Sequence, residues 1–370
     1  MTNQIIQGPF RADHVGSLLR PENLLQARRA WKDGQISKEQ LREVETAEIK
    51  RIVDKQIEVG LKLVTDGEFR RTWWHLDFLE HLNGFEGFVP NTGYKFDGVE
   101  TEKYNVRNIG KIAFNPDHPF FQDFKEFKEI VGDRAIAKQT IPSPNQLFYP
   151  EMRNQDIYPN IEDYTQDIIT AYRQTIQAFY DLGVRYLQLD DVYIARLSSP
   201  DNQIENRQEL IDLALQVING VLEDKPEDLI ITTHLCRGNY QSTWAFEGSY
   251  SIIAPTLLAK EKVDGFFLEY DDERSGDFKP LEHIPHDGTK VVLGLVTSKF
   301  GELEAKEELK ARIEEASKHV PLEQLCLSPQ CGFASTHHGN KLTEEDQWNK
   351  LRLVVEVAEE VWEAKQKVQQ

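Results

Sequence analysis

Short apolar runs alternate with long amphipathic stretches along the chain. Eight runs read as strands because they are rich in β-branched and aromatic residues and end in polar ones. They are FRADHVGS (10–17), LKLVTDGE (61–68), AIAKQTI (135–141), RYLQLDD (185–191), LIITTHLC (229–236), GFFLEYD (265–271), KVVLGLVTS (290–298) and EQLCLSP (323–329). The stretches between them step differently. In 161–182, Ile161, Tyr164, Ile168, Tyr172, Ile176 and Phe179 recur every three or four residues, which marks one face of an α-helix. Residues 37–60 predict another helix, closed by Gly60, and Trp348, Leu351, Val355, Ala358 and Trp362 outline a last one. Thr343 is placed as its N-cap, with acids in the first turn.

Apolar strands alternating with helices predict a parallel sheet covered by helices. With eight strands, the expected fold is an α/β (β/α)8 TIM barrel, which typically takes ~250 residues and leaves room for extensions. An open doubly wound sheet is the alternative, but no G-x-G-x-x-G follows the first strand, which argues against a dinucleotide site. Residues ahead of the first strand form an N-terminal extension. The segment 85–117 breaks the alternation with glycines, aromatics and short β-prone runs, and reads as an inserted β-hairpin region. No repeat or Pro-rich linker interrupts the chain, so 1–370 is expected to be a single catalytic domain.

The net charge of −19 removes nucleic acid and anionic membrane surfaces as expected partners, since no basic patch offsets it. The N-terminus lacks a secretory pattern, and no apolar run approaches the ~20 residues of a membrane helix. Three cysteines in 370 residues do not form a disulfide framework. A reducing cytoplasm is the expected location, where cysteines are free to pack, react or bind metal.

In a parallel barrel the site lies at the C-terminal ends of the strands. Those ends carry His14 and Ser17, Asp66 and Glu68, Asp190 and Asp191, His234 and Cys236, Glu269, and Cys331. His234 and Cys236 are two apart, so on a strand they face one point. With Glu269 and Cys331 from other strand ends they would make a tetrahedral set suited to Zn2+. The plainer alternative is that the cysteines are packing residues, as expected of Cys326 in mid-strand.

Taken in order, HVGSLLRP, TDGEFRR, LQLDD, THLC, LEYD and SPQCGF resemble the catalytic barrel of cobalamin-independent methionine synthase, from about residue 10 to about residue 360. The resemblance implies a zinc-dependent S-methyltransferase with zinc on His234, Cys236, Glu269 and Cys331. It implies homocysteine as methyl acceptor, its amino group held by Glu68 and Asp190 and its carboxylate by Ser17 and backbone near Gly16. His14 is expected at the same pocket. The methyl donor is a reduced folate or another one-carbon carrier, with a carrier protein as an additional candidate partner.

Two departures fall on the donor side. Where the family places a folate-stacking tryptophan after the third strand, this chain has QTIPSPNQLF, leaving Trp73 and Trp74 as substitutes or packing residues. Where the family carries an Asp-x-His relay, GLVTSK offers Thr297 and Lys299. His337 and His338, in STHHGN, read as a polar loop near Cys331. Two other readings stay open. One is a zinc-thiolate alkyltransferase acting on coenzyme M, whose sulfonate would need cations such as Arg11, Arg20, Arg70 or Arg71. The other is a metal-free barrel like uroporphyrinogen decarboxylase.

Overall fold

The computed structural model describes residues 8–96, 99–200 and 203–363. Most of the expected N-terminal extension lies outside the described residues. Seven of the predicted strands form one curled parallel sheet. They are β1 (Leu63–Val64), β6 (Ile136–Pro142), β7 (Tyr186–Asp191), β8 (Ile230–Leu235), β9 (Gly265–Glu269), β10 (Lys290–Val296) and β11 (Leu325–Pro329), paired in that order. Strand β1 is only two residues long.

The predicted first strand, 10–17, contributes a single ladder pair, Ala12 with Leu327, parallel to β11. The Asp13 carboxylate explains why it contributes no more. It accepts the backbone N–H groups of Phe10 and His14, a local pairing that competes with a ladder. The segment still closes the barrel. Asp13 N–H donates to Leu327 on one side, while Leu18 N–H donates to the Gly67 carbonyl and Thr65 Oγ1 to the Gly16 carbonyl on the other. The fold is a (β/α)8 TIM barrel with one irregular stave.

Nine α-helices are described: α1 (Glu22–Lys32), α2 (Lys38–Glu58), α3 (Leu76–Leu79), α4 (Pro119–Val131), α5 (Ile161–Asp181), α6 (Tyr193–Ser198), α7 (Arg207–Leu222), α8 (Lys306–Ala316) and α9 (Glu344–Ala358). The predicted helices match α2, α5 and α9. Ser37 closes a capping box on α2, Gly60 follows it at φ +99°, and α5 buries its predicted face. Thr343 caps α9 with Asp346. The alternation fails after β8 and β9, where the connections hold a π-helical turn (Ala254–Leu258) and a 3-10 turn (Lys279–His283). Among the described residues no helix is long and apolar enough to cross a membrane.

The inserted hairpin is present, with bounds shifted from 85–117. Strand β2 (Asn83–Phe88) pairs antiparallel with β5 (Asn105–Ala113). Their connection folds back as a second ribbon, β3 (Lys95–Phe96) against β4 (Val99–Glu100).

The barrel interior holds a buried ion pair. Lys138 Nζ on β6 lies 3.1 Å from Asp13 Oδ1, and both side chains are 0% exposed. Tyr186 donates to Asp13 Oδ2 at 2.7 Å, and the His14 carbonyl accepts from Lys138 at 2.7 Å. Burial pushes Asp13 up and Lys138 down, and their mutual attraction opposes both shifts. Breaking one half strands the other charge. Lys138→Met is expected to lower the unfolding free energy by ~3–5 kcal/mol in urea denaturation. Asp13→Asn with Lys138→Met should recover much of that loss. Equal losses in the single and double variants would show that the pair does not act as a unit.

Candidate metal and substrate site

The strand ends are level because the register is regular. Asp190 pairs with His234 across β7 and β8, and Leu235 pairs with Leu268 just before Glu269. One ligand atom from each of His234, Cys236, Glu269 and Cys331 lies within 4.8 Å of the others, and all four residues are buried. The Cys236 and Cys331 sulfurs are 3.5 Å apart. Three of the four are held by neighbours outside the set. Asp190 Oδ1 lies 3.1 Å from His234 Nδ1, Arg237 N–H donates to Glu269 Oε1 at 3.0 Å, and Gly238 N–H donates to the Cys236 sulfur. A carboxylate on one ring nitrogen is a usual way to orient a metal-ligating histidine.

The electrostatics of the set are consistent with a cation site. The hydrogen bond with Cys331, and then burial, push the Cys236 thiol well above its usual value. Burial pushes Glu269 up. Burial lowers His234, but the Asp190 hydrogen bond, Cys331 and Glu269 outweigh it and raise the imidazole to about 9. Two thiols, an imidazole and a carboxylate in one dry pocket fit Zn2+, whose charge favours the deprotonated donors.

Beside this group lies a cavity of about 200 Å³, bordered by Ser17, Glu68, Asp190, His234, Cys236 and Cys331. Glu68 sits at φ +61°, a conformation costly for a residue with a side chain. The TDGE turn holds it there, since Asp66 Oδ1 accepts the Glu68 N–H. Glu68 Oε1 accepts from Thr140 at 2.9 Å and faces Arg71 at 3.3 Å, while its buried Oε2 has no hydrogen-bond partner. Burial raises Glu68, and Arg71 opposes the rise. Gln188 donates to Asp190 Oδ1 at 2.7 Å.

Ser17 Oγ accepts from Ala334 N–H. A Cβ at Gly332 would lie 1.9 Å from Ser17 Oγ, so the glycine after Cys331 permits this close approach. Gly16, at φ +144°, does the same beside Thr140, where a Cβ would stand 2.9 Å from Cγ2. Gly16 does not itself line the cavity.

The expectation for His14 needs correction. Its ring does not line the cavity; Nε2 meets Gln56 of α2 at 2.9 Å, and burial holds the imidazole near about 3. The period-two pattern points this side chain away from the mouth. Asp191 is likewise taken up locally, accepting from Ile194 N–H and Asn145. Cys326 is packing, in contact with Val15, Phe267 and Val292.

Trp73 and Trp74 do line the cavity, joined by His75, Tyr149 and Tyr240. So do Tyr94 and Phe96 from the insertion, a role that the sequence signals only through the aromatic GYKF stretch. Lys299 does not line the cavity. It pairs with Asp271 at 2.6 Å, both 3% exposed. None of the four arginines lines it either. Arg11 and Arg20 donate to backbone carbonyls, Arg70 pairs with Glu45 and Glu126, and Arg71 reaches Glu68 and the Thr140 carbonyl. His337 and His338 face Glu102 at the rim, and burial holds His337 near about 4.

Residues 10–360 match the family described as cobalamin-independent synthase, catalytic domain. The chain is 52% identical over 361 residues to the uncharacterized protein YxjG of Bacillus subtilis, covering 96% of this chain and 95% of that protein. It is 47% identical to a crystallised protein of Listeria monocytogenes assigned provisionally as a vitamin-B12-independent methionine synthase, at TM-score 0.80, with 96% and 98% of the two chains covered. A B12-independent methionine synthase from Shewanella, solved with selenomethionine, shares the fold at TM-score 0.72 and 18% identity, covering 96% of this chain and 99% of that one.

The 3.5 Å separation of the two sulfurs can be checked in solution. Mild oxidation of metal-stripped protein is expected to consume two of the three thiols, counted after denaturation. Cys236→Ala or Cys331→Ala should abolish the intramolecular product, and Cys326 should stay reduced. Three thiols surviving, or a bridge that includes Cys326, would contradict the arrangement.

Proposed function

Because the chain belongs to the family of the cobalamin-independent synthase catalytic domain, and is therefore a methyltransferase of methionine biosynthesis, we propose that it transfers a methyl group to the thiol of homocysteine to form methionine. The observation that carries this reading is the convergence of four metal donors beside two cavity-facing carboxylates, Glu68 and Asp190. His234, Cys236, Glu269 and Cys331 would hold Zn2+. The bound ion supplies the charge that keeps a coordinated thiol deprotonated at neutral pH.

The chain's own groups do the rest. Glu68 and Asp190 take the substrate ammonium, and the unpartnered Glu68 Oε2 is an acceptor already desolvated for it. Ser17, with backbone beside Gly332, receives the carboxylate. Asp190 also touches the His234 ring, so the amino group and the metal ligand share one carboxylate, which sets the sulfur's direction relative to the donor. The aromatic wall excludes water and offers flat apolar surface to the methyl donor, a reduced folate or another one-carbon carrier. Nothing in the lining calls for a carrier protein. The whole chain would act as one catalytic domain in a reducing cytoplasm, with the inserted ribbon as a wall of its pocket. The coenzyme M reading is disfavoured because none of Arg11, Arg20, Arg70 and Arg71 lines the cavity, which leaves Lys95 as the one lining lysine or arginine among the described residues to meet a sulfonate. A metal-free decarboxylase would give the two clustered thiols no task.

Zinc content tests the reading first. Wild type purified without added metal should carry about one zinc per chain by plasma mass spectrometry, and Cys331→Ala should lose it. A well-folded wild type that holds no zinc even after reconstitution would sink the proposal.

Glu68→Gln removes half of the ammonium site and touches no donor to the metal. A hydrogen bond to a charged group is worth ~1.5–3 kcal/mol, so the KM for homocysteine should rise roughly tenfold or more while zinc content holds. An unchanged KM would take Glu68 out of the substrate site.

A further inference from the structure

A second set of metal-type donors lies at the rim of the cavity, apart from the thiol group. Glu102 follows β4 in the insertion, and His337 and His338 lie in the loop after β11. One ligand atom from each is within 4.8 Å of the others. The contacts run from a single carboxylate oxygen, Glu102 Oε1, to His338 Nε2 at 3.5 Å and to His337 Nε2 at 3.8 Å. Both are too long for charge-assisted hydrogen bonds, which run ~2.7–2.9 Å. They fit another arrangement: a four-coordinate ion with bonds of roughly 2.0–2.1 Å holds its ligands about 3.3 Å apart.

The His338 ring is aimed. Thr336 Oγ1 lies 3.3 Å from His338 Nδ1, where it can accept the ring proton and leave the Nε2 lone pair toward Glu102. Tyr240 packs edge-on against the same ring, and the two imidazoles lie 4.0 Å apart. The loop itself is fixed, with His337 N–H donating to the Thr72 carbonyl and Trp73 paired to Thr336.

We propose that Glu102, His337 and His338 form a second transition-metal site, a clasp that ties the inserted ribbon to the β11 loop across the cavity mouth. Two imidazoles and one carboxylate suit Zn2+ or Co2+, with remaining positions open to water. Lacking thiolates, the clasp binds more weakly than the four-donor group and fills only when metal is added. The mechanical link is short. Thr101, next to Glu102, exchanges hydrogen bonds with Tyr94, its N–H reaching the Tyr94 carbonyl and its Oγ1 accepting the Tyr94 N–H. Tyr94 lines the cavity, so an ion on Glu102 holds down the wall that faces the methyl donor.

The test uses the full chain loaded with one equivalent of Zn2+ and then titrated with CoCl2. Bound metal is counted after gel filtration, with visible spectra recorded. Wild type should take one further equivalent, with weak d–d absorption, no thiolate charge-transfer band, and slowed amide exchange across 93–96. His338→Ala and Glu102→Gln, melting as wild type does, should take none. Cys331→Ala should keep the second site while losing the first, which separates failure of this proposal from failure of the homocysteine reading. The clasp is overturned if wild type takes no second equivalent or if the rim variants still bind it. Loss of that equivalent in Cys331→Ala, or binding that leaves exchange at 93–96 unchanged, overturns it too.

Discussion

The buried pair between Asp13 and Lys138 is the constraint on which the mouth of this barrel depends. The segment 10–17 has one ladder pair and β1 two, where each pairing among the other staves has four or more, so side chains must fix its position. Asp13 is bound to Lys138 and Tyr186, on β6 and β7, and also caps its own turn. Removing two charges from water costs several kcal/mol, and the attraction repays this only when geometry and extra hydrogen bonds are good. Here the oxygens and the ammonium are all engaged, and two aromatic faces, Tyr186 and Phe267, flank the cation. The position of Ser17, four residues on, follows from that anchor.

The chemistry at the mouth follows the same logic of shared groups. Asp190 is a neighbour of Gln188, of the His234 ring and of the cavity at once. Glu68 is held by Thr140 and Arg71 on one oxygen and left free on the other. Both carboxylates are nearly inaccessible to water, Glu68 beside Arg71 and Asp190 beside the His234 ring. Under the proposed function, the ammonium of the amino-acid substrate would meet the free Glu68 Oε2 beside Asp190.

Most of the barrel was legible because its strands are short, apolar and bounded by polar ends. The four clustered candidate donors could be picked out because Cys236, Glu269 and Cys331 lie at or just past strand ends and His234 and Cys236 are two apart at the end of β8. What was not legible came from tertiary competition. His14 has the same sequence context as Ser17, yet it turns to Gln56 because period two sends it to the other side. Segment 10–17 reads as a strand by composition, but the Asp13 side chain takes the N–H groups that a ladder would need. The helices expected after β8 and β9 are replaced by short turns, which no apolar periodicity announced. Tyr94 and Phe96 gave an aromatic signal without a direction, since nothing local says that a hairpin inserted near residue 85 folds over the mouth.

The donor side is where this chain goes its own way, and the reason lies in how it uses its cations. Lys299 is spent on Asp271 in a buried pair. Arg20 and Arg71 serve backbone carbonyls and Glu68. The aromatic wall therefore faces a cavity in which, among the described residues, Lys95 on the inserted ribbon is the only lining lysine or arginine. A donor with a long anionic tail would find little to hold it deep in the pocket. A compact flat donor would find Trp74 and His75 already stacked, with ring centroids 4.4 Å apart, and Tyr94 close by at 5.9 Å from His75. Under the proposed function, donor recognition would rest on shape and stacking shared by Trp74 and His75 of the segment after β1 and Tyr94 of the insertion, whereas recognition of the thiol substrate would rest on charges fixed by the barrel. Glu68 and the Trp74–His75 stack share the one segment between β1 and α3, so a change in that segment would reach both sides of the site, whereas Tyr94 and Phe96 on the inserted ribbon can change without moving the thiol side.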